Sequence, residues 1–129
     1  MQKIISCRRI NSMKILKSNI ENIENEKKMI YRLTKGTSKA LSQLTDEELD
    51  QSWPVDAYLL YEDTNQAGST NTILSILSGN TILSGQSAPF RETFMEIVDI
   101  MEDEPFSIHV QHRTSGKSKR KYVTCSLDC

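Results

Sequence analysis

The residue types best suited to chemistry are concentrated near the C-terminus, in the segment SIHVQHRTSGKSKRKYVTC, residues 107–125. Two stretches in which apolar and polar residues alternate flank a turn, and this pattern predicts a β-hairpin. No acidic residue lies in the segment, and its cations are Arg113, Lys117, Lys119, Arg120 and Lys121. Long cationic side chains on a hairpin turn suit phosphate groups, because most phosphate contacts are electrostatic.

The alternation also sorts the hairpin side chains onto two faces. The apolar face is predicted to hold Phe106, Ile108, Val110, Val123, Cys125 and Leu127. The opposite face is predicted to carry His109, Gln111, Arg113, Tyr122, Thr124 and Ser126. Arg113 can bind a phosphate with two parallel hydrogen bonds. Gln111 and Thr124 can contact the edge of a base, and Tyr122 can stack on one. These types together indicate an anionic ligand with a heterocycle, which is a nucleic acid or a small nucleotide.

The same residues also fit a hairpin that binds nothing. Lysines at the tip and polar groups on one face protect an edge hairpin from pairing with other chains. The sequence leaves the binding surface and the solvated hairpin open as alternatives.

The histidines offer little for catalysis. His109 and His112 are the two in the chain, and a spacing of three residues on a strand places them on opposite faces. His109 near Arg113 and Tyr122 could act as the base of a small nuclease, with the arginine stabilising a charged transition state. We keep this reaction as an alternative to simple binding.

Glycine and cysteine patterns predict no cofactor or metal. The run Gly116-Lys117-Ser118 lacks the earlier glycine of a phosphate-binding loop, because Gln111 occupies that position. The cysteines have the spacing of neither a disulfide framework nor a zinc motif, and they are Cys7, Cys125 and Cys129. We therefore predict a binding protein that is not an enzyme.

Charge is distributed unevenly, although the net charge is −1. Residues 1–39 contain ten basic residues (Lys or Arg) and three acidic ones. Residues 40–105 contain one basic and thirteen acidic residues, and residues 106–129 contain five basic residues and one acidic residue. The basic ends either form a common basic face or pack beside the acidic middle and cancel it. A homo-oligomer in which the basic ends of one copy meet the acidic middle of another is a further hypothesis.

The elements that position these residues begin with a predicted helix. Residues 1–12 show no clear period and are predicted to be a flexible leader before one domain, residues 13–129. Apolar residues at helical spacing predict a helix over Lys14–Leu33, and they are Leu16, Ile20, Ile23 and Ile30. Gly36 would end this helix. The segment MIYRL near its end could form a short strand instead.

The middle of the chain predicts a short helix and three strands. Thr45 and Glu48 form a capping box, which predicts a helix from Asp46 that ends before Pro54. VDAYLLYE, residues 55–62, alternates as a strand does. Two copies of NTILS follow and predict a hairpin. The uncharged run from residue 66 to residue 90 fits either an exposed polar surface or a buried strand pair.

A further helix is predicted to begin near Ser87, with Trp53 predicted to anchor the core. The apolar stripe of this helix is Phe90, Phe94, Ile97 and Met101, and its acidic face is Glu92, Glu96, Asp99 and Asp103. The predicted fold is therefore a single α+β domain, with an antiparallel sheet of about five strands and helices on one side, in the order α-α-β-β-β-α-β-β.

No apolar run is long enough to span a bilayer and no signal peptide is evident, so a cytoplasmic protein without a membrane partner is predicted. The sequence favours a non-catalytic protein that recognises a phosphodiester ligand through the last hairpin. Small chains of this kind are often regulators or ligand-sequestering proteins, including those of mobile elements. The other class left open is a protein-interaction or inhibitor protein that uses the N-terminal helix or the acidic helix.

Overall fold

Strands and helices are mixed along the chain. The computed structural model describes residues 13–21, 23–117 and 119–129. Helices make up 27% of the structure and strands 41%, which confirms the predicted α+β class. The helices are α1 (Glu26–Lys35), α2 (Asp46–Leu49) and α3 (Ala88–Met101). The strands are β1 (Met13–Ser18), β2 (Lys39–Ala40), β3 (Trp53–Pro54), β4 (Ala57–Thr64), β5 (Thr70–Ser78), β6 (Thr81–Gly85), β7 (Ser107–Thr114) and β8 (Lys121–Leu127).

The described strands form two sheets. A five-stranded sheet has the order β1-β4-β5-β6-β2, and a three-stranded sheet has the order β3-β7-β8. Strand β2 runs parallel to β6, whereas the other neighbours are antiparallel. The last hairpin, β7 and β8, therefore lies in the three-stranded sheet with β3 rather than in the five-stranded sheet.

The helix predicted over Lys14–Leu33 is wrong in its first half. Strand β1 occupies that region as an edge strand paired with β4, and helix α1 begins only at Glu26. The error has a simple cause, because the four-residue step from Leu16 to Ile20 fits the two-residue period of a strand as well as a helix. The short strand considered at MIYRL is also wrong, since that segment lies within α1. The prediction for residues 1–12 falls outside the described residues.

The other helix signals are confirmed. Thr45 and Glu48 form the predicted capping box, with Glu48 N donating to Thr45 Oγ1 at 3.2 Å and Thr45 N donating to Glu48 Oε1 at 2.9 Å. The Ser87 side chain accepts a hydrogen bond from Phe90 N at 3.3 Å and caps α3. Trp53 is buried, as predicted, and its Nε1 donates to the Glu48 carbonyl oxygen at 3.0 Å.

The two NTILS copies form the predicted hairpin. Ser78 pairs with Thr81 across a two-residue turn, Gly79-Asn80. Gly79 has a φ of 60°, which favours glycine. Leu74 and Ile76 of this hairpin are buried. The middle of the uncharged segment is thus a buried strand pair, whereas residues 66–71 at its start are exposed.

The five-stranded sheet is covered on both faces, because β4 is apolar on both. Leu59 and Tyr61 lie in one buried cluster with Leu33 of α1. Tyr58 and Leu60 lie in the other cluster, with apolar residues of α3 and of the three-stranded sheet. Helices α1 and α3 therefore lie on opposite faces, which differs from the predicted one-sided arrangement. None of the helices in the described residues is long and apolar enough to cross a membrane.

Candidate functional site

The side chains of the C-terminal hairpin lie on the two faces that its alternating sequence predicts. Facing pairs across β7 and β8 are His109 with Ser126, Gln111 with Thr124, and Arg113 with Tyr122. These six polar side chains therefore share one face of the three-stranded sheet, which we call the outer face. The opposite face is buried, and its core residues are Ile108, Val110, Val123 and Cys125. Burial of that apolar face fixes which side chains point outward.

The tip of the hairpin is a cationic turn. Ser115 N donates to the Arg120 carbonyl oxygen at 2.9 Å, and Lys119 N donates to the Ser115 carbonyl oxygen at 3.0 Å. Lys119 has a φ of 53°, an uncommon conformation for a residue other than glycine. The exposed cations of the tip and its neighbouring strand ends are Arg113, Lys117, Lys119, Arg120 and Lys121.

These hairpin cations differ from basic residues elsewhere in how they are paired. Lys17 on β1 forms an ion pair with Asp99 on α3 at 3.0 Å, and Lys39 pairs with Glu48. Basic and acidic segments thus cancel locally at these two places. Within the part of the chain that the structure describes, none of the hairpin cations forms a salt bridge. The positive charge of the hairpin remains available to an anion from solution.

Arg113 is held along the outer face by Gln111. Both Nε and Nη2 of Arg113 donate to Gln111 Oε1, at 3.2 and 2.9 Å. The Gln111 amide nitrogen donates to Ser126 Oγ at 3.3 Å. A guanidinium has further N–H donors beyond these two, so Arg113 can still contact a phosphate.

The far end of the outer face carries a negative charge. His109 Nε2 lies 3.2 Å from Asp128 Oδ1, and Ser52 Oγ donates to Asp128 Oδ2 at 2.5 Å. The hydrogen bond from Ser52, and then that from His109, lowers the pKa of Asp128. A phosphate chain would therefore favour the tip end of the face over the His109 end.

Thr124 and His112 make contacts that the sequence did not predict. Thr124 Oγ1 donates to Thr93 Oγ1 of α3 at 3.4 Å, so Thr124 is partly covered by that helix. His112 lies on the face opposite His109, as predicted, and its Nε2 is 2.8 Å from the Leu41 carbonyl oxygen. His112 therefore ties β7 to the 3₁₀ turn Leu41–Gln43.

The chain was compared with protein-family models, with curated proteins and with solved structures, and no significant match was found in any of the three. Residues 13–21, 23–117 and 119–129 also contain no group of His, Cys, Asp or Glu side chains that could hold a metal ion.

Proposed function

We propose that the protein is a non-catalytic nucleic-acid-binding protein that uses the outer face and the tip of its C-terminal hairpin. The observation that carries this proposal is the contrast in pairing between the basic residues. Lys17 and Lys39 are paired with acids, whereas the hairpin cations are exposed and unpaired within the described residues. When exposed, unpaired cations neutralise the phosphates of a nucleic acid, they release the counterions condensed on it, and this release favours binding.

The shape of this region supports a polymer rather than a small nucleotide. A shallow groove of about 410 Å³ touches four consecutive residues of β7, 109–112, together with Leu49 and Asp50. Small ligands usually bind in pockets that bury most of their surface. An extended backbone instead gains its affinity from several phosphates along an open surface.

Each outer-face residue has a distinct role in the proposal. Arg113 contacts a phosphate, and Lys117, Lys119, Arg120 and Lys121 add electrostatic attraction at the tip. Tyr122 faces Arg113 across the hairpin and can stack on a base. Gln111 and Thr124 offer hydrogen bonds to a base edge, although Thr124 is partly covered by α3. Such a protein would act by occupying or sequestering nucleic acid.

The test is a titration of a labelled single strand of roughly 20 nucleotides, followed by fluorescence anisotropy at several salt concentrations. We expect log Kd to rise linearly with log salt. The double variant Arg113→Ala/Lys119→Ala should weaken binding about tenfold or more and reduce the slope by about two phosphates. A matched control, Lys27→Ala/Lys28→Ala, removes two exposed cations from α1 and should bind as the parent does.

Two results would overturn the proposal. Affinity that does not depend on salt, or equal loss in the hairpin variant and the α1 control, would show that the hairpin is not the binding surface. Recovering the strand intact after the titration would support binding without catalysis. Cleavage that disappears in His109→Ala would replace the proposal with the nuclease alternative.

A second candidate is a protein-interaction role through α3. Ile100 on this helix is 76% exposed, and the exposed acidic residues Glu96 and Asp103 lie four residues before it and three residues after it. An exposed apolar side chain among acids suits a partner with a basic and apolar surface. This candidate predicts a stoichiometric protein complex that survives nuclease treatment and is lost in Ile100→Asp.

A further inference from the structure

A separate cleft of about 480 Å³ opens on the face of the five-stranded sheet that α1 covers. The C-terminal end of α1 and the segment around β2 form its walls, and β5 and β6 contribute to its base. Seven of its lining residues carry a hydroxyl group: Thr34, Ser38, Ser42, Tyr61, Ser75, Ser84 and Ser87. The volume lies in the range of about 300 to 1,000 Å³ that is typical of small-molecule sites.

Among the residues that the structure describes, none with a charged side chain lines this cleft. Charged residues make up 26% of the chain, so their absence from the described lining distinguishes this cleft from the rest of the described surface. An ion that entered would lose hydration without meeting an opposite charge. The cleft therefore favours a neutral ligand.

Ser75 provides an independent sign of a missing partner. Its side chain is buried at 1% exposure, and its Oγ has no hydrogen-bond partner among the described residues. Burial raises the pKa of the neighbouring Tyr61 phenol, and the interaction of that phenol with Ser75 opposes the rise. The two hydroxyl groups therefore lie close together, although Ser75 Oγ makes no hydrogen bond of acceptable geometry. A buried hydroxyl left unpaired destabilises the fold, so a native one calls for an explanation such as a bound molecule.

The neighbouring hydroxyl groups are arranged to act with Ser75. Ser84 faces Ser75 directly across β5 and β6, and Ser84 Oγ is 2.9 Å from Ser38 Oγ. Each hydroxyl can donate one hydrogen bond and accept two, so this pair retains capacity for another partner. Leu33 and Ile73 add apolar surface within the same cleft.

We propose that this cleft binds a small, neutral, polyhydroxylated molecule of about the size of a monosaccharide. Hydroxyl groups of the ligand would pair with Ser75, Ser84 and Ser42, and its C–H faces would contact Leu33 and Ile73. The ligand would supply the partner that Ser75 lacks. Val123 of β8 borders this cleft, but none of the residues proposed to bind nucleic acid lines it, so the inference does not depend on the proposed nucleic-acid binding.

The first test titrates the ¹⁵N-labelled protein with D-glucose, D-ribose and myo-inositol, up to about 50 mM. We expect at least one probe to shift the amide resonances of Ser75, Ser84 and Gly85. D-glucose 6-phosphate and D-glucuronate, which are ionised, should bind about tenfold more weakly than glucose or not at all. No shift with any neutral probe, equal binding of the ionised probes, or shifts confined to other residues would each overturn the proposal.

The second test separates a ligand-binding Ser75 from a structural one. Ser75→Ala should weaken binding of the responding probe by about tenfold, while the Tm of the unliganded protein stays the same or rises because an unpaired hydroxyl has been removed. Ser78→Ala is the matched control, because Ser78 is a buried serine of the same strand that does not line the cleft. It should leave probe affinity unchanged.

A lower Tm in Ser75→Ala with unchanged probe affinity would overturn the proposal. The double variant Arg113→Ala/Lys119→Ala should retain probe binding, so failure of the hairpin proposal would leave this result intact. Loss of probe binding in that double variant would contradict the separation of the two sites.

Discussion

Arg113 and Gln111 lie next to each other on the outer face of β7, and Nε and Nη2 of Arg113 both donate to the single oxygen Oε1 of Gln111. Residues two apart on a strand point to the same side. Because the Gln111 amide is neutral, it orients the guanidinium without neutralising its charge. If Arg113 binds a phosphate as proposed, this orientation lowers the entropy lost on binding.

This relationship predicts a difference between two substitutions at one position. Gln111→Glu places a carboxylate against Arg113, so the affinity for a single-stranded nucleic acid should fall about tenfold and the salt slope by about one phosphate. Gln111→Ala removes the orienting amide but leaves the charge, and should weaken binding by no more than about threefold. Anisotropy titrations at matched salt measure both. Equal affinities of the Glu and Ala variants would contradict a role for the Arg113 charge.

Asp128 predicts how stability depends on pH. Hydrogen bonds from Ser52 and then His109 lower the pKa of its carboxyl group in the folded state. A carboxyl group with a lowered folded pKa stabilises the fold above its unfolded pKa, about 3.9, and this stabilisation is lost as pH falls through the folded value. Asp128→Asn should therefore be less stable than the parent at neutral pH, and the difference should shrink below about pH 4.

Urea unfolding followed by the fluorescence of Trp53, the single tryptophan, measures this difference between acid and neutral pH. Asp103→Asn is the control, because Asp103 is an exposed carboxylate just beyond α3, and its substitution removes the same charge without touching the contacts of Asp128 with Ser52 and His109. If the free energies of unfolding of the parent and of Asp128→Asn differ by the same amount at every pH, the carboxylate charge does not contribute to stability.

The last hairpin and α3 could be predicted because each has one dominant period. The apolar alternation of β7 and β8 assigns each side chain to one face of the sheet, and the Phe90–Phe94 spacing on α3 indicates one helical face. Strand β1 could not be predicted because the Leu16–Ile20 step fits both periods, and its pairing with β4 decides between them. Strands β2 and β3 span two residues each and carry too little sequence to show any period.

The neutral cleft was missed for a different reason. Ser38, Ser75 and Ser84 are brought together only by strand pairing, and no local pattern links them. The one signal in the sequence was the uncharged run from residue 66 to residue 90, which contains Ser75 and Ser84. Its lack of charge indicated burial without indicating that a cleft would form beside it.

Cys125 and Cys129 should differ sharply in reactivity. Cys125 is buried, and burial raises the pKa of its thiol to about 12. At pH 8 only about one molecule in ten thousand would then carry the reactive thiolate. Iodoacetamide should alkylate exposed Cys129 in the native protein, whereas Cys125 should react only after urea unfolding. Peptide mass mapping resolves the two sites, and rapid native labelling of Cys125 would contradict its burial.

Phe94 should contribute far more to stability than Ile100, although both lie on α3. Phe94 is fully buried, and its ring centroid lies 5.4 Å from that of Tyr58 on β4 and 6.1 Å from that of Phe106, beside β7. It thus packs between the two sheets. Phe94→Ala should lower the free energy of unfolding by about 3–5 kcal/mol through lost contacts and a cavity.

Ile100→Ala removes an apolar side chain that is 76% exposed, and should change the free energy of unfolding by no more than about 0.5 kcal/mol. Urea unfolding followed by circular dichroism measures both changes. Because total stabilities are only about 5–15 kcal/mol, Phe94→Leu provides a milder variant, which retains apolar contacts and should remain folded. If Ile100→Ala lowers the free energy of unfolding as much as Phe94→Leu does, the outer side of α3 is covered rather than exposed. A stable oligomer would cover it in this way.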